Sequence, residues 1–238
     1  MIDEKISILV PTRDRPKFVN DLIESVKKTA FNLDQIEFVF YVDNDDQKTI
    51  NFLEKKIKQS EVKIIFTVGE RIVLSEMWNI CHSFASGTIF NHCGDDLRFR
   101  TKNWDKIVRN KFSQFEDRIA FIYGRDGIQP KSFGTHGFIH KNWVDTVGYF
   151  VPPFFSSDYN DTWLNEVAEL VDRKFYIPIY TEHLHPDAGK HFWDKTHLER
   201  KERGKKDDVE KLWLEKKHLR IEDAQKLKQF ISDFREQK

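Results

Sequence analysis

Short apolar runs rich in β-branched and aromatic residues alternate with longer stretches of helical periodicity through the first part of the chain. Ile6 to Val10, Glu37 to Val42 and Val62 to Val68 read as strands, with helices over about Lys17 to Thr29 and Gln47 to Lys58 between them. That alternation predicts parallel strands joined by right-handed helical crossovers, an α/β architecture. A helix from about Val73 to Phe84 places Leu74, Met77, Trp78 and Cys81 on one face and leads into the strand-like Ile89-Phe90. Trp104, Ile107, Val108 and Phe112 mark another helix, followed by a strand from Ile119 to Tyr123. From Gly124 to Phe155 the periodicity gives way to glycine, proline and aromatic residues, the texture of loops and short strands built around a site. A helix over Asp161 to Val171 and a strand over Lys174 to Tyr180 follow, ending before Pro186. Beyond a charge-dense segment after His197, Val209, Leu212, Trp213, Leu219, Ala224, Leu227 and Ile231 predict a pair of amphipathic helices folded against the domain.

Composition narrows the class. A chain of 238 residues, 39% hydrophobic and 14% aromatic, can bury a substantial core. Lysine plus arginine equal aspartate plus glutamate at 39 each, so no global field recruits a polyanion, and a charged ligand must be met locally. The two cysteines, Cys81 and Cys93, lie in apolar stretches and are too few for a disulfide framework. The N-terminus lacks the apolar core of a signal peptide, and no run is long enough to cross a bilayer, so the expectation is a soluble, cytoplasmic protein. Asn160-Asp-Thr matches a glycosylation pattern that such a protein would not use.

The candidate chemistry collects where strands end, which is where open α/β sheets bind ligands. Asp95-Asp96 closes the stretch Ile89-Phe-Asn-His-Cys-Gly, two carboxylates after a buried strand; a metal-bound phosphate explains them, and so does a solvated turn. The second strand ends in Asp43-Asn-Asp-Asp, with Asp43 placed to hydrogen-bond a ribose or base and Asp45 or Asp46 placed to cap a helix. The first strand ends in Pro11-Thr12-Arg13-Asp14-Arg15-Pro16, whose arginines suit a phosphate or ribose and whose Asp14 and Pro16 suit a helix start. His183 and His185, two apart beside a strand, share one face if the extended conformation persists, so that one could complete a metal shell begun by Asp95 or Asp96; without those acids they read as a surface pair before a proline, and with them oxygen donors and a borderline nitrogen favour Mn2+ or Mg2+. Asp158 and Asp161 precede a helix at the mouth of an aromatic loop, positions equally suited to a helix first turn and to a general base. Trp143, Tyr149, Phe154, Phe155 and Trp163 offer an apolar platform or core packing.

In this order, Ile8-Leu-Val-Pro-Thr-Arg-Asp-Arg, the acid-ended second strand, Arg71, Asn79, Ala85-Ser-Gly-Thr-Ile and Gly-Asp-Asp resemble the family 2 glycosyltransferases of the GT-A fold, over about residues 5 to 190. The resemblance implies a Rossmann-like mixed, mainly parallel sheet flanked by helices. It implies a GT-A domain over 1–195, with a nucleotide-binding half to about 97 and an acceptor half from about 98, and a charged helical extension over 196–238. Pro11, Thr12, Arg13, Asp14, Asp43, Arg71, Asn79 and Asp95 would hold a nucleotide sugar, UDP-linked, and Asp95-Asp96 would take the place of the family's metal-binding Asp-x-Asp motif. Cys93 and Gly94 stand where that motif has its first acid, so the terminal carboxylate carries over. Asn160-Asp161 resembles the family's Glu-Asp segment, making Asp161 the base of an inverting displacement and Asp158 the alternative. Trp143, Phe155 and Trp163 would receive the acceptor, a saccharide or, given the basic tail, a hydroxylated base in nucleic acid. A nucleotidyltransferase is a rival, although the first loop has no glycine, and so is a non-catalytic nucleotide- or sugar-binding module.

Overall fold

The computed structural model describes residues 4–186 and 189–237. Its strands are β1 (Ile6–Thr12), β2 (Ile36–Asp43), β3 (Lys63–Gly69), β4 (Ile89–His92), β5 (Leu97–Phe99), β6 (Phe121–Arg125), β7 (Phe138–His140) and β8 (Lys174–His183). Helices α1 (Pro16–Thr29), α2 (Gln47–Ile57), α3 (Leu74–Phe84), α4 (Trp104–Phe112), α5 (Lys141–Val147) and α6 (Asn160–Leu170) intervene, and α7 (Lys195–Lys206), α8 (Val209–Glu215) and α9 (Lys217–Glu236) complete the chain.

The strands form one sheet in the order β3-β2-β1-β4-β7-β6-β8-β5. The pairs β3/β2, β2/β1 and β1/β4 are parallel, as helical crossovers require; β7 enters antiparallel to β4 and β6, β8 runs parallel to β6, and β5 closes the order antiparallel to β8. Both faces are covered. Successive strand residues point to opposite sides, so Ile6, Ile8 and Val10 pack with Leu22, Leu53 and Trp104 of α1, α2 and α4, whereas Leu9, Val39 and Tyr41 pack towards Met77, Trp143, Trp163 and Leu227 of α3, α5, α6 and α9. Two-sided burial is why β1 and β2 read as continuous apolar runs. Among the described residues, no helix is long and apolar enough to cross a membrane.

The tail differs from the expected helix pair. The charge-dense segment is itself helical, as α7, and its interior Gly204 explains how so polar a helix docks: a Cβ there would lie 2.5 Å from the hydroxyl of Ser157. Glycine costs a helix interior about 1 kcal/mol relative to alanine, and close approach to the 157–158 loop offsets that cost. Further on, α9 is held to α6 through Arg220, whose Nε lies 2.8 Å from Glu166 while its guanidinium stacks on Trp213 and Trp163 at 4.2 and 5.3 Å.

Three features of this fold position the site. The carboxyl ends of β1, β2 and β4 share one edge of the sheet. The β5/β8 register sets Leu97 opposite His183, and the Leu184 N–H donates to the Asp96 carbonyl at 2.9 Å, which brings the acid pair beside the histidines. Finally, α7 supplies side chains to the same edge.

Candidate active site

A single cavity at the sheet edge is lined by Pro11, Thr12 and Arg13 from β1 and its loop, Asp43 from β2, Arg71, Asp95 and Asp96, Asp158 and Asp161, and His183 and His185. These residues are separated widely in the chain and united by the topology. Asp14 and Asn79 are not among the lining residues. The Asp14 backbone, at φ 56, donates its N–H to Asp46 at 2.6 Å, and Arg15 rather than Asp14 occupies the α1 cap position. Asn79 is instead a brace: its Nδ2 donates to the Val151 carbonyl at 2.8 Å and its Oδ1 accepts from the Phe150 and Val151 N–H groups. The acceptor candidates Trp143, Phe155 and Trp163 are also corrected, being core residues only 2%, 0% and 1% exposed. An aromatic residue near a site and one in the core share the same sequence signature, and packing decides between them.

Asp46 is the α2 cap, accepting from Thr49 N at 3.0 Å, while Asp43 and Asp45 both accept from Arg13. Asp43 is 2% exposed, and Arg71 Nε approaches it to 4.0 Å, so this acid sits between two arginines at the end of β2.

Asp95 and Asp96 are both buried and differently supported. Asp95 accepts from the Thr12 hydroxyl at 2.8 Å and from Arg15 at 2.9 Å. Burial, with the neighbouring Asp96, still raises its carboxyl above the usual range. Burial opposes ionisation of Asp96 as well, but His183, His197 and Arg15 outweigh it and hold that carboxyl well below the usual range. His183 Nε2 lies 3.4 Å from Asp96 Oδ1 and its Nδ1 lies 3.6 Å from Asp126; burial opposes its charge, yet these acids raise it to about 9. Burial and the adjacent His183 move His185 the other way, to about 4. Asp96 and His183 therefore form a charged pair at neutral pH, with a neutral His185 beside them.

Asp161 occupies the first turn of α6, where its Oδ1 accepts from Thr162 N at 2.8 Å. Burial, reinforced by the nearby charge of Asp158, raises its carboxyl to about 6. That value suits a group that must take a proton near neutrality. Asp158 is exposed and paired with Arg200 Nη1 at 2.9 Å, and the α6 cap position is Tyr159 rather than Asp158.

Sequence reasoning missed the wall formed by α7 and its approach: Thr196, His197, Arg200 and Arg203 line the cavity, and Asp194 accepts from Arg15 at 2.7 and 2.9 Å. Arg15 is the hinge of this arrangement, 7% exposed and bonded at once to Asp95, Asp194 and His197. The only sequence signal for α7 was the spacing of Thr196, Arg200 and Arg203 on one helical face.

For a divalent cation the donor chemistry favours Asp96, His183 and His197. The His197 Nε2 is buried without a hydrogen-bond partner and lies 3.5 Å from Asp96 Oδ2. Asp95 is instead engaged by Arg15 and Thr12, and His185 faces Arg200 at 3.4 Å. Among the described residues no group of three or more His, Cys, Asp or Glu is placed to hold a metal ion, so binding would require these side chains to draw together and His183 to give up the proton it holds beside Asp96.

No family model matches the chain, and no curated protein is similar to it in sequence. Solved structures do share its architecture. S. aureus TarS, residues 1–349 in complex with UDP-GlcNAc, superposes with a TM-score of 0.61 at 14% identity, over 82% of this chain and 64% of that one. The mannosyltransferase PcManGT from Pyrobaculum calidifontis, in complex with GDP-Man and Mn2+, gives 0.59 at 11% identity, over 74% of this chain and 56% of that one. The chain thus spans less than two thirds of either. At these identities the likeness is one of architecture: the chain has the GT-A fold, a mixed and mostly parallel sheet flanked by helices.

Proposed function

We propose that the protein is an inverting glycosyltransferase that moves a sugar from a nucleotide sugar, UDP-linked, to an acceptor hydroxyl. The observation that carries this reading is the meeting, in one cavity of a GT-A fold, of the strand-end acids Asp43, Asp95 and Asp96 with an Asp161 raised to about 6. Asp43, between Arg13 and Arg71, receives the nucleoside, and the arginines at the edge receive the phosphates. Asp161 accepts the proton of the acceptor hydroxyl as its oxygen bonds to the anomeric carbon. The bond from that carbon to the diphosphate oxygen breaks in the same step, its electron pair leaves with the nucleoside diphosphate, and the anomeric centre inverts.

A divalent ion, Mn2+ or Mg2+, would be held by Asp96 with His183 and His197, and would supply charge neutralisation at the diphosphate. The acceptor is a saccharide or a hydroxylated base. Incubation with a panel of nucleotide sugars, with Mn2+, with Mg2+ and with chelator, tests the reading by product analysis and thermal shift. Transfer or donor hydrolysis with one donor, and inversion in the product by NMR, are expected. No hydrolysis, transfer or thermal shift with any donor would overturn it.

A further inference from the structure

Five arginines line the cavity, and four have acidic partners: Arg13 with Asp43, Arg15 with Asp95, Arg71 with Glu199 and Arg200 with Asp158. Arg203 of α7 is the exception. Among the described residues it has no hydrogen-bond or ion-pair partner, and its Nε is buried with its donor unused. Burial and the adjacent Arg71 pull its guanidinium below the ordinary arginine value, and the charges of Asp43, Glu199 and Asp207 offset that only in part. A buried charged donor with no hydrogen bond is costly to leave unmade, and an anionic ligand in the cavity would satisfy it.

Beside it, Glu199 reaches from one turn earlier on the same helix. Its Oε2 lies 2.5 Å from Arg71 Nη2 and 3.9 Å from Arg13 Nε, and that Nε is also buried with no hydrogen bond. One carboxylate is therefore seated between the two arginines that flank Asp43. Carboxylate and phosphate are recognised by arginine through the same forked, charge-assisted geometry.

Resting on the glycosyltransferase reading, we infer that this corner is the diphosphate subsite of the donor. Arg203 joins Arg71 and Arg13 as a phosphate ligand, and Glu199 occupies the phosphate position until the donor displaces it. Glu199 is then a built-in competitor whose carboxylate can turn to Lys195, whose Nζ already lies 3.7 Å from its Oε1. The alternative is that Glu199 is a plain clamp fastening α7 to the sheet edge, and the two accounts predict opposite signs for its removal.

The experiment is calorimetric titration of the full chain and its variants with inorganic pyrophosphate, UDP, GDP, uridine and guanosine. For the diphosphate that wild type binds, Arg203→Ala is expected to weaken affinity about 10- to 100-fold, the loss of one or two charged hydrogen bonds, and to leave the matching nucleoside within about twofold. Arg203→Lys should recover part of the loss. Glu199→Gln should tighten pyrophosphate and diphosphate binding about 3- to 10-fold by removing the competing charge. Lys205→Ala, an exposed cation on the same helix, should stay within about twofold and thermal unfolding should match wild type, so that fold and general charge are controlled. Wild-type affinity in Arg203→Ala, or weaker binding in Glu199→Gln, overturns the inference. Pyrophosphate binding that depends on Arg203, without binding of any nucleotide sugar, upholds the subsite and rejects the glycosyltransferase reading.

Discussion

Replacing Asp161 by Asn separates the chemistry of this carboxylate from its burden on the fold. The side chain keeps its shape and an oxygen to accept from Thr162 N, now 2.8 Å away, and loses only its charge. Burial, with Asp158 nearby, lifts its pKa from an ordinary 3.8 to about 6. The difference, 6 less 3.8 or about 2.2 pH units, corresponds to about 3 kcal/mol against the ionised form in the folded state. Below 3.8 both states hold the proton and the group costs nothing. As pH rises through the window from 3.8 to about 6, the unfolded chain releases its proton first, so wild type loses stability and carries the full cost above it. Urea unfolding should therefore find Asp161→Asn more stable than wild type by up to about 3 kcal/mol at pH 7.5, the gap narrowing to about 1 kcal/mol at pH 4.5. Turnover should move the other way. Loss of the base lowers kcat about 10²- to 10⁴-fold at pH 7.5 with donor affinity retained, and wild-type kcat should decline as pH falls below about 6. A stability gap that does not change with pH would refute the burial argument. Full turnover in Asp161→Asn together with loss in Asp158→Asn would move the base to Asp158.

Other perturbations probe the surrounding structure. Asp43→Asn should weaken nucleoside diphosphate binding by about tenfold in calorimetry, because the acid between Arg13 and Arg71 is the only change. Gly204→Ala, which helix propensity alone would make stabilising by about 1 kcal/mol, should instead cost about 1–3 kcal/mol in thermal unfolding as the new methyl meets Ser157. Arg220→Ala removes a buried guanidinium, its pair with the partly exposed Glu166 and two aromatic stacks, and should destabilise by about 2 kcal/mol without altering donor affinity. Mixed at low salt with a duplex carrying hydroxylated bases, the protein should bind with a steep salt dependence if nucleic acid is its acceptor; absent or salt-independent binding in an electrophoretic assay removes that acceptor.

The legible parts of the fold were those with local periodicity. Strands β1 and β2, with seven and eight buried residues in a row, and the striped helices α1 to α4 announce themselves. Strands β5 and β7, three residues each, exist only because β8 and β4 offer ladders to join, and nothing in so short a segment records its partner. The same divide runs through the site. Asp43, Asp95 and Asp96 were visible because charge ends an apolar run, and Asp161 because it opens a helix. Arg15 showed only as a loop cation suited to phosphate, not as the brace it is, and His197 and Arg203 did not show, since their significance depends on contacts such as Arg15 to His197, 182 positions apart. Asn79, suggested by the resemblance, and the buried Trp143, Phe155 and Trp163, suggested by residue type, show the converse error, in which packing had already employed the side chain.

The reach of Arg15 has a consequence for how the molecule acquires its site. Its bonds to Asp95 and Asp194 span 80 and 179 positions, so the loop they close is among the last that a refolding chain can complete. Until α7 arrives, the adjacent carboxylates Asp95 and Asp96 have Thr12, Arg15 and His183 beside them but lack His197, and their mutual repulsion opposes early collapse there. Stopped-flow refolding should accordingly recover far-ultraviolet dichroism in a phase that precedes the return of nucleotide binding, with the slower phase lengthened in Arg15→Ala. Competence to bind would then report completion of the chain's longest-range contacts rather than formation of its sheet.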